Sequence, residues 1–389
     1  MKTQIIFLVE IHFSEWHWHR LGIDTLKARG FDVTILDCTR WIVPDYYETF
    51  KSKIFDCPER IEIGSREYLE RSILRINTDC IIAFDNLGYN TITSNIRQKV
   101  YGEIKALRAV FNLSVLPQPA ELNLVDSLRN LTSKTNLPIR AINLLKRLFA
   151  TRKLGPPDIA MLSGKISDIG VYATAHQKIW CHAFDYDDFL KGNNIESDKE
   201  YVDKYAVYLD ENIVLGPDSL HCGIKAVTTA EKIYPCLNQF FSEIEAKLGL
   251  PVVIAAHPKS NYSADSNVFE GRQIIKGHSA ELVRASTLVL GHTSASLNFP
   301  MFCRKPILIM TSDDIEKSRL NHYVRARAAE TGKEAFNIDQ QTWNLNINDI
   351  LSVDENRYRE YLDKYIKTPG SPSKPVWEIF SDYVEENIL

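Results

Sequence analysis

Two runs decide the fold: PVVIAAHPKSNY at residues 251–262 and LVLGHTSASLNFP at residues 288–300. Each opens as a short apolar stretch and stops on a histidine. The first ends on His257 and Pro258; the second ends on Gly291 and His292, followed by Thr293, Ser294 and Ser296. A continuous apolar run of about four to eight residues fits a strand covered on both faces, as in a parallel sheet. Two such strands in one sheet deliver their terminal residues to the carboxyl edge, where open α/β sheets take ligands. Each loop also leads towards a helix start, whose free N–H groups favour a phosphate.

Outward from this pair, strands and helices alternate. KYAVYLDENI (204–213) is a strand ending on Asp210 and Glu211, 216–227 a loop, and 228–248 a helix closed by Gly249. After His257 come a loop with Gly271, the short strand IIKG, the helix AELVRAS and the strand to His292. KPILIMTSDD (305–314) is one more strand. Earlier, QIIFLVEI (4–11), a helix over 15–29 and DVTILD (32–37) make a βαβ start. CIIAFDN (80–86) adds a strand and about 90–113 a helical segment. PPDIAMLSG (156–164) and KIWCHAFDYDDFL (178–190) read as strands, the second ending on His182, Asp185 and Asp187. No G-x-G-x-x-G follows the first strand, which argues against a dinucleotide site there.

This order predicts an α/β protein of two Rossmann-like doubly wound domains. The polar stretch KGNNIESDKE (191–200) sets the boundary. Residues 1–200 form an N-terminal domain and 201–365 a C-terminal domain. A helical tail at 366–389 packs back across the junction. At 389 residues the chain exceeds one ordinary core.

Composition excludes several classes. A net charge of -4 lacks the basic excess of a general nucleic-acid binder. The seven cysteines are scattered and include no C-x-x-C pair, which reads as reduced thiols with neither zinc site nor disulfide framework. Glu10 and His12 interrupt the first apolar run, so it is a strand and not a signal peptide. No run reaches the ~18 apolar residues of a membrane span. The expected location is cytoplasmic. Residues 134–153 carry six lysines and arginines and no acidic residue, with Ile139, Ile142, Leu145 and Leu148 near helical spacing. They are either a peripheral contact with the inner membrane or an anionic acceptor, or a solvated basic face.

His257-Pro258 suits a departing phosphate: imidazole titrates near ~6.5 and can donate to a phosphate oxygen, and proline sets the turn. Alone it would read as a core histidine at a strand end. Gly291 to Ser296 offers N–H and hydroxyl donors beside a glycine that allows close approach; the competing reading is a helix cap, and Ser294 is preferred over Ser296. Asp210 or Glu211 can act as a base or nucleophile, but neighbours in a strand point to opposite faces, so only one faces the site. Asp185-Tyr186-Asp187 contains a weak D-x-D; Glu10, His12, His182, Asp185 and Asp187 are the acceptor-side candidates.

The order acidic pair, H-P, Ser/Thr-rich loop resembles that of bacterial sialyltransferases and Kdo transferases. The wording YAVYLDENI…LGPD, TAEKIYPCLNQFF, VVIAAHPKSNY, GR-x-I-x-KG, AELV and LVLGHTSAS is most similar to the retaining β-Kdo transferases of surface polysaccharide synthesis, lipopolysaccharide O-antigen among them. The likeness covers about residues 204–312 and HAFDYDDFL and is thin over the first 150 residues.

That resemblance implies a glycosyltransferase of the GT-B type, its two domains facing a central cleft with the acceptor bound by residues 1–200 and the donor by 201–365, moving Kdo from CMP-β-Kdo to a glycan or lipid-linked glycan. His257, Lys259 and Thr293–Ser296 would hold CMP, and Asp210 would attack the anomeric carbon to form a covalent adduct. In an inverting transferase of sialic or another nonulosonic acid the matching acid is a general base, and the sequence leaves both open. CMP-sugars carry one phosphate, so no metal and no cofactor is expected. Lys259 and Arg272 are candidate partners for the phosphate or the sugar carboxylate. A nucleotide-sugar epimerase and a non-catalytic scaffold remain as alternatives.

Overall fold

The computed structural model describes residues 3–74, 76, 80–118, 154–193, 204–214, 226–258, 260, 262, 267–340 and 342–389. The basic segment 134–153, Lys259 and most of the polar stretch 191–200 lie outside them. The chain forms two compact units. One holds residues up to 113, the stretch ending at His182, and Gly370–Leu389; the other is built on Ala183–Pro369.

The first unit carries a seven-stranded parallel sheet: β1 Thr3–Val9, β2 Asp32–Asp37, β3 Arg60–Glu62, β4 Cys80–Asp85, β5 Leu107–Asn112, β6 Ile159–Leu162 and β7 Gln177–Trp180, in the order β3-β2-β1-β4-β5-β6-β7. β1 is buried at every position because helices cover both faces of a parallel sheet. The helix Val376–Asn387 belongs to this unit. It sets the Trp377 ring edge-on to Phe7 and Phe84, with centroids 5.4 and 5.3 Å apart, and the indole N–H donates to the Arg20 carbonyl at 2.8 Å.

The second unit carries six parallel strands: β8 Ala206–Leu209, β9 Val252–Ala256, β10 Ile274–Lys276, β11 Leu288–Gly291, β12 Ile307–Thr311 and β13 Ala335–Asn337, in the order β10-β9-β8-β11-β12-β13. Helix Ala230–Leu248 packs Phe240, Phe241 and Ile244 on one face against Tyr208, Ile254 and Leu290. Both sheets reverse their strand order beside their first strand, the doubly wound arrangement.

Three sequence expectations are corrected. The helix over 15–29 is two helices, Glu15–Arg20 and Ile23–Ala28, broken at Gly22. Gly22 has φ +56, and a Cβ there would overlap the Trp377 ring. The helical segment over 90–113 ends early and contains β5. Lys105, at φ +54, makes the turn into it, a left-handed position that no glycine advertises. The strand over 178–190 is only β7; Phe184–Asn193 is helix, with Asp185 and Asp187 in its first turn, where the helix dipole favours negative charge.

Candidate functional site

At the carboxyl edge of the second sheet the order reverses between β8 and β11, so residues just past β8 can reach the loops on either side. Alternation along an extended chain sends neighbouring side chains apart, and Asp210 and Glu211 divide accordingly. Asp210, 7% exposed, turns to the loop after β9. Its Oδ2 accepts the His257 N–H at 3.1 Å and the Tyr262 hydroxyl at 2.8 Å, and its Oδ1 accepts the Asn212 N–H at 3.0 Å.

Glu211 turns the other way. Its Oε1 accepts the N–H groups of His292 at 3.0 Å, of Thr293, and of Ser294 at 2.7 Å; its Oε2 accepts the Thr293 hydroxyl at 2.7 Å. Three successive N–H groups converging on one oxygen make a concavity suited to an anion. Here that anion is the chain's own carboxylate. The backbone donors expected to meet a phosphate are therefore engaged, and Glu211 braces the loop instead of facing a substrate. Gly291 also has a different reason: a Cβ would meet Leu297 at 2.8 Å, so the close approach is to a neighbouring side chain. Ser294 Oγ accepts the Ser296 N–H at 3.2 Å and caps the short turn Ala295–Asn298, leaving its own O–H hydrogen to donate.

His292 is 1% exposed. Its ring Nδ1–H donates to the Met310 carbonyl at 2.9 Å, so Nε2 is the acceptor nitrogen of the neutral ring, and among the described residues it has no partner. Burial pushes this imidazole below its ordinary value, against the pull of Glu211 and Asp210. The unfolded chain takes up this proton below pH ~6.5 while the folded chain resists it, so stability falls as pH drops through that point. Urea unfolding of wild type is expected to lose more stability between about pH 7 and pH 5.5 than unfolding of His292→Gln. Parallel pH curves would show that His292 is not the group concerned.

His257 is half-buried. Its carbonyl accepts the Ser260 N–H at 2.9 Å and the Ser260 hydroxyl at 2.7 Å. The Ser260 carbonyl in turn accepts Lys276 Nζ at 2.8 Å, which brings a cation to this loop from β10. Pro258 is exposed.

Arg272 faces away from this edge. Its Nε and Nη2 pair with the two oxygens of Glu245 at 2.9 and 2.8 Å, and it also bonds Asn238 and Ser242 on the same helix. A guanidinium so paired clamps the helix and is not available to a phosphate. Arg272→Met is expected to lower stability by about 1–3 kcal/mol, discounted for the partial exposure of Glu245, with nucleotide affinity within about twofold of wild type by calorimetry. A tenfold loss of affinity without destabilisation would return Arg272 to the site.

Asp185 lies in a buried network that sequence motifs did not announce. Asn298 Nδ2 donates to Asp185 Oδ2 at 2.8 Å, and Asn298 Oδ1 accepts from Arg327 Nη1 at 3.0 Å and the Tyr361 hydroxyl at 2.7 Å. Arg327 Nη1 also bonds the Tyr361 hydroxyl, and its Nη2 donates to the Ser294 carbonyl at 3.3 Å. Burial pushes the Tyr361 phenol up to about 12. The signal was periodicity: Val324, Arg327, Ala328 and Thr331 share the buried stripe of the helix Leu320–Thr331. An arginine on such a stripe needs internal acceptors.

Of the acceptor-side candidates, Asp185 and Asp187 belong to the second unit, and Glu10, His12 and His182 to the first. Glu10 Oε2 accepts the Gly88 N–H at 2.8 Å, tying the end of β1 to the loop after β4. His12 Nδ1 bonds the Tyr46 hydroxyl at 2.7 Å, and its ring stacks on Phe50 with centroids 5.1 Å apart. His182 is fully buried and its Nε2–H donates to the Lys374 carbonyl at 2.7 Å, so it fastens the C-terminal segment of its unit. Among the described residues no three His, Cys, Asp or Glu side chains converge as a metal site would need. Nor is any described helix long and apolar enough to cross a membrane.

The chain matches no protein-family model and no curated protein. Solved structures share its architecture. The calicheamicin glycosyltransferase superposes with a TM-score of 0.57 at 9% identity over 100% of both chains. The wall teichoic acid polymerase gives 0.53 at 10% identity, covering 100% of this chain and 89% of that one. UDP-N-acetylglucosamine 2-epimerase from Rickettsia bellii gives 0.50 at 10% identity over 100% and 99%. Identities this low speak to architecture alone, and with the two sheet topologies they establish it: the chain has the GT-B fold of two parallel-sheet α/β domains.

Proposed function

We propose that the protein is a glycosyltransferase that moves Kdo from CMP-β-Kdo to a glycan or lipid-linked glycan, with Asp210 at the anomeric carbon. The observation that carries this reading is the direct hydrogen bond from the His257 N–H to Asp210, which ties the acid at the end of β8, the strand that flanks the reversal of the donor-side sheet, to the H-P loop after β9. A carboxylate bound to the backbone of a histidine loop, with serine hydroxyls on the loop after β11 still able to donate, suits displacement at a sugar carbon bearing a phosphate.

In that reaction an Asp210 oxygen attacks the anomeric carbon, and the carbon–oxygen bond to CMP breaks with its electron pair leaving on the phosphate. The hydroxyl hydrogens of Ser294 and Ser296, with His257, would stabilise the departing phosphate. An acceptor hydroxyl then attacks the adduct, the bond from the anomeric carbon to Asp210 breaks with its electron pair left on the carboxylate, and the hydroxyl proton passes to water, so configuration is retained. A single phosphate carries less charge than a pyrophosphate, and the reading needs no metal.

Two neighbouring readings keep an observation each. An inverting transfer of another nonulosonic acid would use the same Asp210 as base. The likeness to the Rickettsia bellii epimerase admits turnover of a UDP-sugar without acceptor. Incubating the protein with CMP-Kdo generated in place and, in parallel, with a UDP-sugar, each with and without a glycan acceptor, then measuring nucleotide-sugar turnover and intact mass, separates the three. A gain of one Kdo supports the retaining reading. CMP release that requires acceptor and leaves no adduct supports inversion. Turnover of a UDP-sugar with CMP-Kdo untouched overturns the transferase reading.

A further inference from the structure

We propose that Tyr262 is a positioning residue that decides which oxygen of Asp210 reacts. The inference rests on Asp210 being the reacting carboxylate. An ionised carboxylate offers about four lone-pair sites. Oδ2 of Asp210 receives two donors, the Tyr262 hydroxyl at 2.8 Å and the His257 N–H at 3.1 Å; Oδ1 receives one, the Asn212 N–H at 3.0 Å. Among the described residues the uncommitted lone pair is on Oδ1, which makes Oδ1 the attacking atom.

The two N–H donors are backbone groups and come with the loops. The Tyr262 hydroxyl is the side-chain choice that loads Oδ2. Its ring is held edge-on against Phe269, centroids 5.2 Å apart, beside the core under the sheet. Burial first, and the Asp210 charge after it, push the Tyr262 phenol far above its ordinary range, so it stays a donor at any physiological pH. The terminal torsion of an aspartate is broad and roughly two-fold. Without the phenol, two N–H groups are the direct donors left to select its setting, with the Tyr234 phenol and the buried His292 ring as nearby titratable groups, and the charged carboxylate loses a charge-assisted bond.

The test uses the full chain, with Tyr262→Phe removing one oxygen and keeping the ring. In its crystal structure the Asp210 carboxylate is expected to turn or to occupy two settings. With CMP-Kdo as probe, kcat for CMP release is expected to fall about 10- to 100-fold at unchanged KM, and the acid limb of the pH–rate profile to move up by about one unit. A purely structural tyrosine would lower activity evenly across pH and leave the limb in place. Replacing Tyr262 by 3,5-difluorotyrosine, a stronger donor of nearly the same shape, is expected to move the limb down, and it serves if the phenylalanine variant folds poorly. An unturned carboxylate with an unmoved limb overturns the proposal. Should wild type leave CMP-Kdo untouched, the donor reading falls and the crystallographic result alone decides whether Tyr262 positions Asp210.

Discussion

Asp210→Asn is expected to lower CMP release from CMP-Kdo by about a thousandfold or more and to abolish any sugar adduct, because the amide can neither attack the anomeric carbon nor take a proton. The variant also carries a structural cost. The Asn amide has one accepting oxygen and one NH2 group, while the wild-type carboxylate accepts on both sides, from Asn212 on Oδ1 and from His257 and Tyr262 on Oδ2. Either setting of the amide turns its NH2 towards an N–H or O–H donor. A facing donor pair of this kind costs about 1–3 kcal/mol. Thermal melting therefore has to accompany the kinetics. A thousandfold loss with melting lowered by a few degrees assigns the loss to chemistry. Activity within about tenfold of wild type, with the same fall in melting, would leave Asp210 as a brace between two loops and nothing more.

Glu211→Ala is expected to be the more damaging change for stability. It removes the acceptor of three consecutive N–H groups, those of His292, Thr293 and Ser294, and of the Thr293 hydroxyl. Donors left without an acceptor lose about 1–3 kcal/mol each, less where water reaches them. A total near 3 kcal/mol is a reasonable expectation once water has entered. Glu211→Gln keeps an accepting oxygen and loses the charge, so about half that loss is expected. The emptied concavity would then be an anion site. Phosphate or sulfate at millimolar concentration should raise the melting temperature of Glu211→Ala and leave that of wild type unchanged, since a ligand bound only by the folded state stabilises it. Equal response of the two proteins would show that the loop is no anion nest. Hydrogen exchange at the amides of 292–294 locates the effect: protection should drop there first.

The strand-end positions were legible in the sequence. Asp210, His257 and His292 each terminate an apolar run, and a parallel sheet buried on both faces writes itself as such runs. β5 was not legible, because Lys105 turns the chain with a positive φ that only glycine would have signalled. Helix Phe184–Asn193 was hidden for a related reason: the aromatic and apolar content of HAFDYDDFL fits a strand as well as a helix, and only the dipole preference of Asp185 and Asp187 spoke for the helix.

What the sequence determined by itself is therefore the alternating architecture and the roster of residues at the carboxyl edge, since both follow from local hydrophobic runs and where they stop. What the tertiary structure alone decided is where those side chains point. Strand order reverses between β8 and β11, so adjacent acids serve different loops: Asp210 meets His257 and Tyr262, and Glu211 fills the nest at His292 to Ser294. The partners Tyr262 and Asn298 lie inside the two deciding runs but at positions to which local pattern assigned no role, and Arg327 lies in a helix with no motif of its own. They matter because folding brings their donors and acceptors within 3 Å or so of groups that, once buried, must be satisfied.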